Sequence, residues 1–381
     1  MSKGINCRCL AALLLVLLMA SGSLPGLVGA QGAATKPGQY FGYVMSQSSS
    51  TIMVLDTSTK TIIKKVKHPD LVRPAEGRFH PTTKRYYAGG TGKVTIWDTT
   101  DLANPVHLKT VVPAAGSTGE YRGFLIYKGS RTAIDGEVWI SNIKDNAVYV
   151  YRAADLEVAT PTPVKTFGPS DGVRGPHYMQ VRPGTNEVWL TNRTATTNGY
   201  LMRFDGATHT VITDPIARLE TTGSAGDEPT EFSFSGDGAL AYVGHHGNTI
   251  TGSPTNSFNI ALIDAATFTI KKLVATAATQ VTPSYVAIDD ERGRVYVAAK
   301  WGPAVTVLDM RSERILRYVE LGGFGPAYGV ATTPDRKYLY IALGAPAQSA
   351  VAVVDAQTLT IVANIIDTDL DNPRSVRFTS Y

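Results

Sequence analysis

The stretch Arg294-Val295-Tyr296-Val297-Ala298-Ala299, followed a few residues later by Val307-Leu308-Asp309, decides the fold, because the chain repeats this pattern seven times. Each occurrence opens on an aromatic flanked by apolar residues: Tyr43, Tyr87, Trp139, Trp189, Tyr242, Tyr296 and Tyr340, spaced 44 to 54 residues apart. A second mark follows each aromatic by 11 to 22 residues, an alternating apolar run that ends at Asp56, Asp98, Arg152, Asp205, Asp264, Asp309 or Asp355. An aspartate there can bond its own backbone and set the next turn, which gives it a structural task. A third mark precedes each aromatic: Pro74, Pro176, Pro229, Pro283, Pro326 and Pro373, with Glu120 in the equivalent place of the third unit, each leading into a β-prone run.

With a last strand such as Thr61–Val66 or Ile315–Val319, every period holds four short strands, and no stretch after residue 31 keeps a helical period over three turns. Four strands recurring every 40 to 55 residues define a β-propeller blade. The first unit lacks a Pro-led strand, while Asn372–Phe378 is one strand in excess. The pattern predicts an all-β, seven-bladed β-propeller over residues 40–381, four antiparallel strands per blade, its ring closed by the C-terminal strand joining the first blade.

Composition agrees. A chain of 381 residues with 43% hydrophobic and 18% charged residues forms a core, and 36 glycines with 21 prolines favour tight turns over long helices. The net charge of +4 is spread without a basic stripe, so no nucleic-acid partner is expected. Residues 1–30 read as a signal peptide: Lys3 and Arg8, an apolar run from Leu10 to Ala20, and Val28-Gly29-Ala30 before Gln31. Cleavage after Ala30, with 31–39 as a linker, would leave a periplasmic or secreted protein without a membrane span. Cys7 and Cys9 would leave with the signal, which excludes disulfides, Cys-ligated metals and covalent c-type haem.

Glu187-Val188-Trp189-Leu190-Thr191-Asn192 and Arg294-Val295-Tyr296-Val297, each followed by an Asp-ended strand, resemble the YVTN-type repeat of YncE-like seven-bladed β-propellers. The resemblance covers roughly residues 40–381. It implies the fold; for activity it allows binding proteins, lactonase-like enzymes and subunits of redox complexes. The motif's final Asn survives at Asn142 and Asn192 and is replaced by Ser46, Gly90, His245, Ala299 or Leu343 elsewhere.

In a propeller the innermost strand lines the central channel. Counting one residue past the proline position gives Ala75, Tyr121, His177, Thr230, Ser284, Ala327 and Arg374; counting two gives Glu76, Arg122, Tyr178, Glu231, Tyr285, Tyr328 and Ser375. So polar a ring predicts a wet funnel that binds a ligand through Glu76, Arg122, His177, Tyr178, Glu231, Tyr285, Lys300, Trp301, Tyr328 and Arg374. His68, His177, His245 and His246 are the candidate metal ligands, although adjacent His245 and His246 on one strand point to opposite faces. Glu76 and Glu231 could hold calcium with Asn142 and Asn192, or pair with Arg122, Arg374 and Lys300, the commoner fate of carboxylates beside basic groups. His80, in a Phe-His-Pro turn, is expected on the opposite face in a structural role.

The sequence has no Gly-x-Ser-x-Gly elbow, His-Glu-x-x-His pair or phosphate-binding glycine loop. The expected function is therefore a binding module, non-catalytic alone. Its funnel would receive a small anionic or aromatic ligand, or a redox or other protein partner, with no cofactor. The alternative is a channel-bound divalent metal or haem, either in a lactonase-like hydrolase or in a haem-binding propeller resembling that of dissimilatory nitrite reductases. Asp70–Phe79 loosely resembles a segment of the latter, which has eight blades.

Overall fold

Strands of this chain are apolar on both faces, and that property dictates the architecture. In Phe41–Ser46 all six residues are buried: Tyr43 and Met45 pack with Phe79, Tyr86 and Trp97 on one side, whereas Val44 packs with Tyr340, Val351 and Val353 on the other. Alternate side chains of a strand point to opposite faces of its sheet. Each sheet must therefore be covered twice, and only a closed ring of sheets does this for all of them.

The computed structural model describes residues 38–114, 116–128, 136–193, 199–212, 228–246, 259–277, 282–300, 302, 304–344 and 348–379. It shows seven four-stranded antiparallel sheets, the blades. Blade 1 joins Phe41–Ser46, Thr51–Asp56 and Thr61–Lys67 to the C-terminal strand Pro373–Phe378; blades 2 to 7 are each continuous in sequence. The inner strands of blades 2 to 7 are Glu76–Phe79, Tyr121–Tyr127, Pro176–Val181, Glu228–Phe234, Pro283–Asp289 and Ala327–Thr332. Each touches the inner strands of the blades before and after it, and Pro373–Phe378 touches those of blades 7 and 2, which completes the ring.

Seven apolar clusters hold the ring, one at each blade–blade interface. The seven repeat aromatics are all at most 1% exposed, so they serve packing. Outer strands such as Thr61–Lys67 and Arg314–Glu320 alternate between exposed and partly buried residues, as strands at a wet rim should.

In six blades the turn after the third strand is built as its aspartate suggests. Asp205 accepts from the N–H groups of Ala207 and Thr208, Asp264 from Ala266 and Thr267, and Asp355 from Gln357 and Thr358. Four residues past the aspartate, Lys60, His209, Phe268, Glu313 and Leu359 all take a left-handed conformation, with φ between 53° and 59°. That conformation strains residues other than glycine, and the carboxylate hydrogen bonds offset the strain.

Bonds from Thr267, Ser312 and Thr358 hold the carboxyls of Asp264, Asp309 and Asp355 below the usual carboxylate range. A carboxylate depressed on folding stabilises the fold above its ordinary pKa and loses that effect as pH falls through its folded value. Asp355→Ala should therefore cost about 1 kcal/mol at neutral pH, by analogy with lost helix caps. In urea melts the gap to wild type should close as pH drops below about 4.

Candidate functional site

Strand register fixes which residues share a level of the channel. Tyr121 pairs with Asn142 as Pro176 pairs with Asn192, and Ala327 pairs with Leu343 as Pro283 pairs with Ala299. Tyr121 and Ala327 are thus the counterparts of the prolines, and the alignment through Glu120 and Pro326 is one residue early. A bulge at the head of the inner strand hides this shift from the sequence. The corrected upper layer is Ala75, Arg122, His177, Thr230, Ser284, Tyr328 and Arg374. The second is Glu76, Gly123, Tyr178, Glu231, Tyr285, Gly329 and Ser375.

Glycine occupies two second-layer places because neighbouring inner strands approach closely there. A Cβ at Gly123 would lie 2.5 Å from the His177 carbonyl oxygen, and one at Gly329 would lie 2.8 Å from that of Arg374. A third layer, opposite the seven repeat aromatics, consists of Arg78, Leu125, Gln180, Ser233, Ala287, Ala331 and Arg377.

The upper end of the channel is cationic. Arg122 is paired with Glu120, and Arg374 donates to Gln47 Oε1 (2.9 Å) while its guanidinium sits 4.0 Å above the Tyr328 ring. His177 is 5% exposed, and burial together with the charges of Arg122, Arg193 and Lys300 holds its imidazole well below the ordinary histidine range. The ring is therefore neutral at physiological pH. Its Nδ1 is buried with no hydrogen-bond partner among the described residues. Gln47 Nε2, Asn192 Nδ2 and Ser375 Oγ at the same end share that condition.

Midway down lies a buried charge cluster that the sequence pairing did not anticipate. Arg377 donates to Glu76 through Nε (2.7 Å) and a terminal nitrogen (2.8 Å), and across the channel to Glu231 (3.3 Å). Glu76 and Glu231 thus pair with Arg377, and not with Arg122, Arg374 or Lys300. Neither forms an oxygen cage with the asparagines: Asn142 binds Ser117 and the Lys144–Asp145 turn, and Asn192 accepts from the Arg174 N–H. Burial, opposed by Arg377 and assisted by Glu76, pushes the Glu231 carboxyl up to about 8. Tyr285 beside it is pushed up to about 12, chiefly by burial. Arg78 completes the cluster, bonding the Phe124 carbonyl and the Tyr178 hydroxyl. The predicted wet funnel is, at the level of Glu76, Tyr178, Glu231 and Tyr285, a closed plug, each residue no more than 7% exposed.

The four histidines do not converge. His68 stacks on His107 at 3.7 Å, with Trp97 at its edge, in the outer part of blade 2. His245 is buried at the end of its strand, opposite Pro229. The His246 side chain and Trp301 lie outside the described residues. Among the described residues, no three His, Cys, Asp or Glu side chains form a metal-binding group. His80 caps its turn, its Nδ1 accepting from Thr82 and Thr83, at the far end as expected.

Fold and register define a seven-bladed β-propeller with a polar channel. Residues 253–379, about a third of the chain, match the family model of the cytochrome D1 heme domain. Among solved structures, the dihydro-heme d1 dehydrogenase NirN in complex with DHE is similar over 92% of this chain and 77% of its own, at 13% identity and a TM-score of 0.60. A functionally unknown protein from Desulfotomaculum acetoxidans DSM 771 is similar over 89% and 98%, at 14% identity and a TM-score of 0.63. Identities this low speak for the fold alone. No curated protein matches the chain. No helix among the described residues is long and apolar enough to cross a membrane.

Two substitutions test the plug. Arg377→Ala leaves the buried Glu76 carboxylate without its counter-charge and Glu231 without its hydrogen-bond donor, and should cost about 3–5 kcal/mol in urea melts. Glu231 binds a proton on folding between its ordinary 4.5 and about 8, so its contribution to stability declines as pH rises across that window. Glu231→Gln should therefore gain on wild type from pH 5 to pH 8 and stay level above it.

Proposed function

We propose that this chain is a haem-binding propeller, holding a carboxylate-bearing tetrapyrrole at the upper end of its channel. The observation that carries the reading is His177 Nδ1. Burial and nearby cations keep the ring neutral, and Nδ1 is buried with no hydrogen-bond partner among the described residues. Buried polar atoms nearly always have a partner, so a neutral imidazole nitrogen without one suits an iron ligand.

The surrounding residues fit the rest of such a ligand. Arg122, Arg193, Lys300 and Arg374 supply positive charge for carboxylates, and the orphaned Gln47 Nε2 and Asn192 Nδ2 add neutral donors. The match of residues 253–379 to the cytochrome D1 heme domain supports the same choice. When bound, the group would supply a redox-active iron. The chain's own part is to keep His177 neutral, place positive charge around the mouth and exclude water with the plug below. We propose binding, not catalysis, as the role of the chain alone. Its export signal, which lies outside the described residues, would place that role in the periplasm or beyond.

Titration of the purified protein with hemin tests this. A saturable Soret shift at one hemin per chain is expected, and His177→Ala should weaken it by roughly tenfold or more and change the band position. An unchanged Soret band would overturn the reading. Equal binding of hemin and metal-free protoporphyrin, insensitive to His177→Ala, would instead favour an anion-binding module without iron ligation.

A further inference from the structure

A cavity opens at the end of the channel opposite His177. It encloses about 360 Å³ beneath the third layer, between the ends of the inner strands of blades 1 to 4. That volume lies within the range of small-molecule sites. Its lining is mixed: Leu125, Ile126 and Phe378 are apolar, whereas Arg78, Arg377 and Gln180 are polar.

The polar lining is not self-satisfied. Gln180 Oε1 is buried with no hydrogen-bond partner among the described residues, so this carbonyl lacks a donor. Arg377 is neutralised by Glu76, but Arg78 makes no ion pair among the described residues; its contacts are the Phe124 carbonyl and the Tyr178 hydroxyl. Two arginines thus line the cavity, with one carboxylate, Glu76, committed to Arg377. The other, Glu231, is faced by Arg377, Glu76, Arg78 and Tyr285, and burial keeps it mostly protonated at neutral pH. One positive charge is left over.

We infer that this cavity is a second ligand site, for a small amphipathic carboxylate that also carries an N–H or O–H donor. The carboxylate would sit on Arg78, the donor on Gln180 Oε1, and the apolar body along Leu125, Ile126 and Phe378. A charge-assisted contact in a partly buried pocket is worth more than a neutral one, so the neutral analogue of the same shape binds less well. Ionisation of Glu231 cancels the surplus charge, so affinity falls as pH rises through about 8.

N-acetyl-phenylalanine combines the three features, and N-acetyl-phenylalaninamide lacks only the charge. Calorimetric titration of the full chain should show one saturable site for the acid, with the amide weaker by roughly tenfold to a hundredfold. Arg78→Gln should weaken the acid to the level of the amide. Ile126→Trp, a partly buried position at the cavity rim, should abolish binding of both, with thermal melts confirming that each variant is folded. His177→Ala should leave the acid's affinity unchanged, which separates this site from the haem reading. Absence of saturable binding by the acid, equal binding of the amide, or wild-type affinity in Ile126→Trp would overturn the inference.

Discussion

Each blade is a thin sheet with two oily faces, and neither can be left to water. This constraint organises the molecule. A sandwich would cover one face of each sheet; a closed ring covers both. Seven apolar clusters, each shared by two adjacent blades, are the result, and the one between blades 7 and 1 is made with help from Val376 of the last strand. Because the blades pack through their faces, their inner edges are forced together around an axis. Residues with no contact in sequence, such as Glu76, Glu231 and Arg377, become neighbours only through that geometry.

The channel is chemically graded along its axis. Its upper end gathers arginine, lysine and a neutral histidine, its middle holds Glu76 and Glu231 tied to Arg377, and its lower end opens into a cavity of mixed apolar and cationic lining. The plug lies between two ends with different donor sets. Moving the Glu231 proton changes the charge of the plug between them, so each end shares one electrostatic element with the other.

Most of the fold was legible in the sequence because it depends on residue type at fixed intervals. The aromatics from Tyr43 to Tyr340 are invariably buried, and aspartates such as Asp205, Asp264 and Asp355 make the turns their position implied. Blade closure could be read from the surplus strand at Pro373. The site was only half legible. His177, Tyr178, Glu231 and Tyr285 do lie at the channel, but Arg122 and Tyr328 were placed one level too low, because a bulge consumes a residue without leaving a compositional trace. Arg377 was missed although a signal existed: Arg-Phe ends the inner strand of both blade 2 and blade 1, at 78–79 and 377–378. His68 was placed on the funnel side because it lies on the connection into blade 2, but it follows the outer strand of blade 1 and stacks on His107.

The place of the Pro373–Phe378 strand also sets an order of events. A chain that emerges from its N-terminus can assemble blades 2 to 7 one after another, each from a local stretch. Blade 1 waits, with Val44 unpaired on one edge until Val376 arrives more than three hundred residues later. Pairings so distant are the slow ones in folding. The same late strand carries Arg374 and Arg377, the cation at the channel mouth and the centre of its plug. Mechanical closure and chemical competence are thus achieved in a single step, and a polypeptide halted short of that strand has neither.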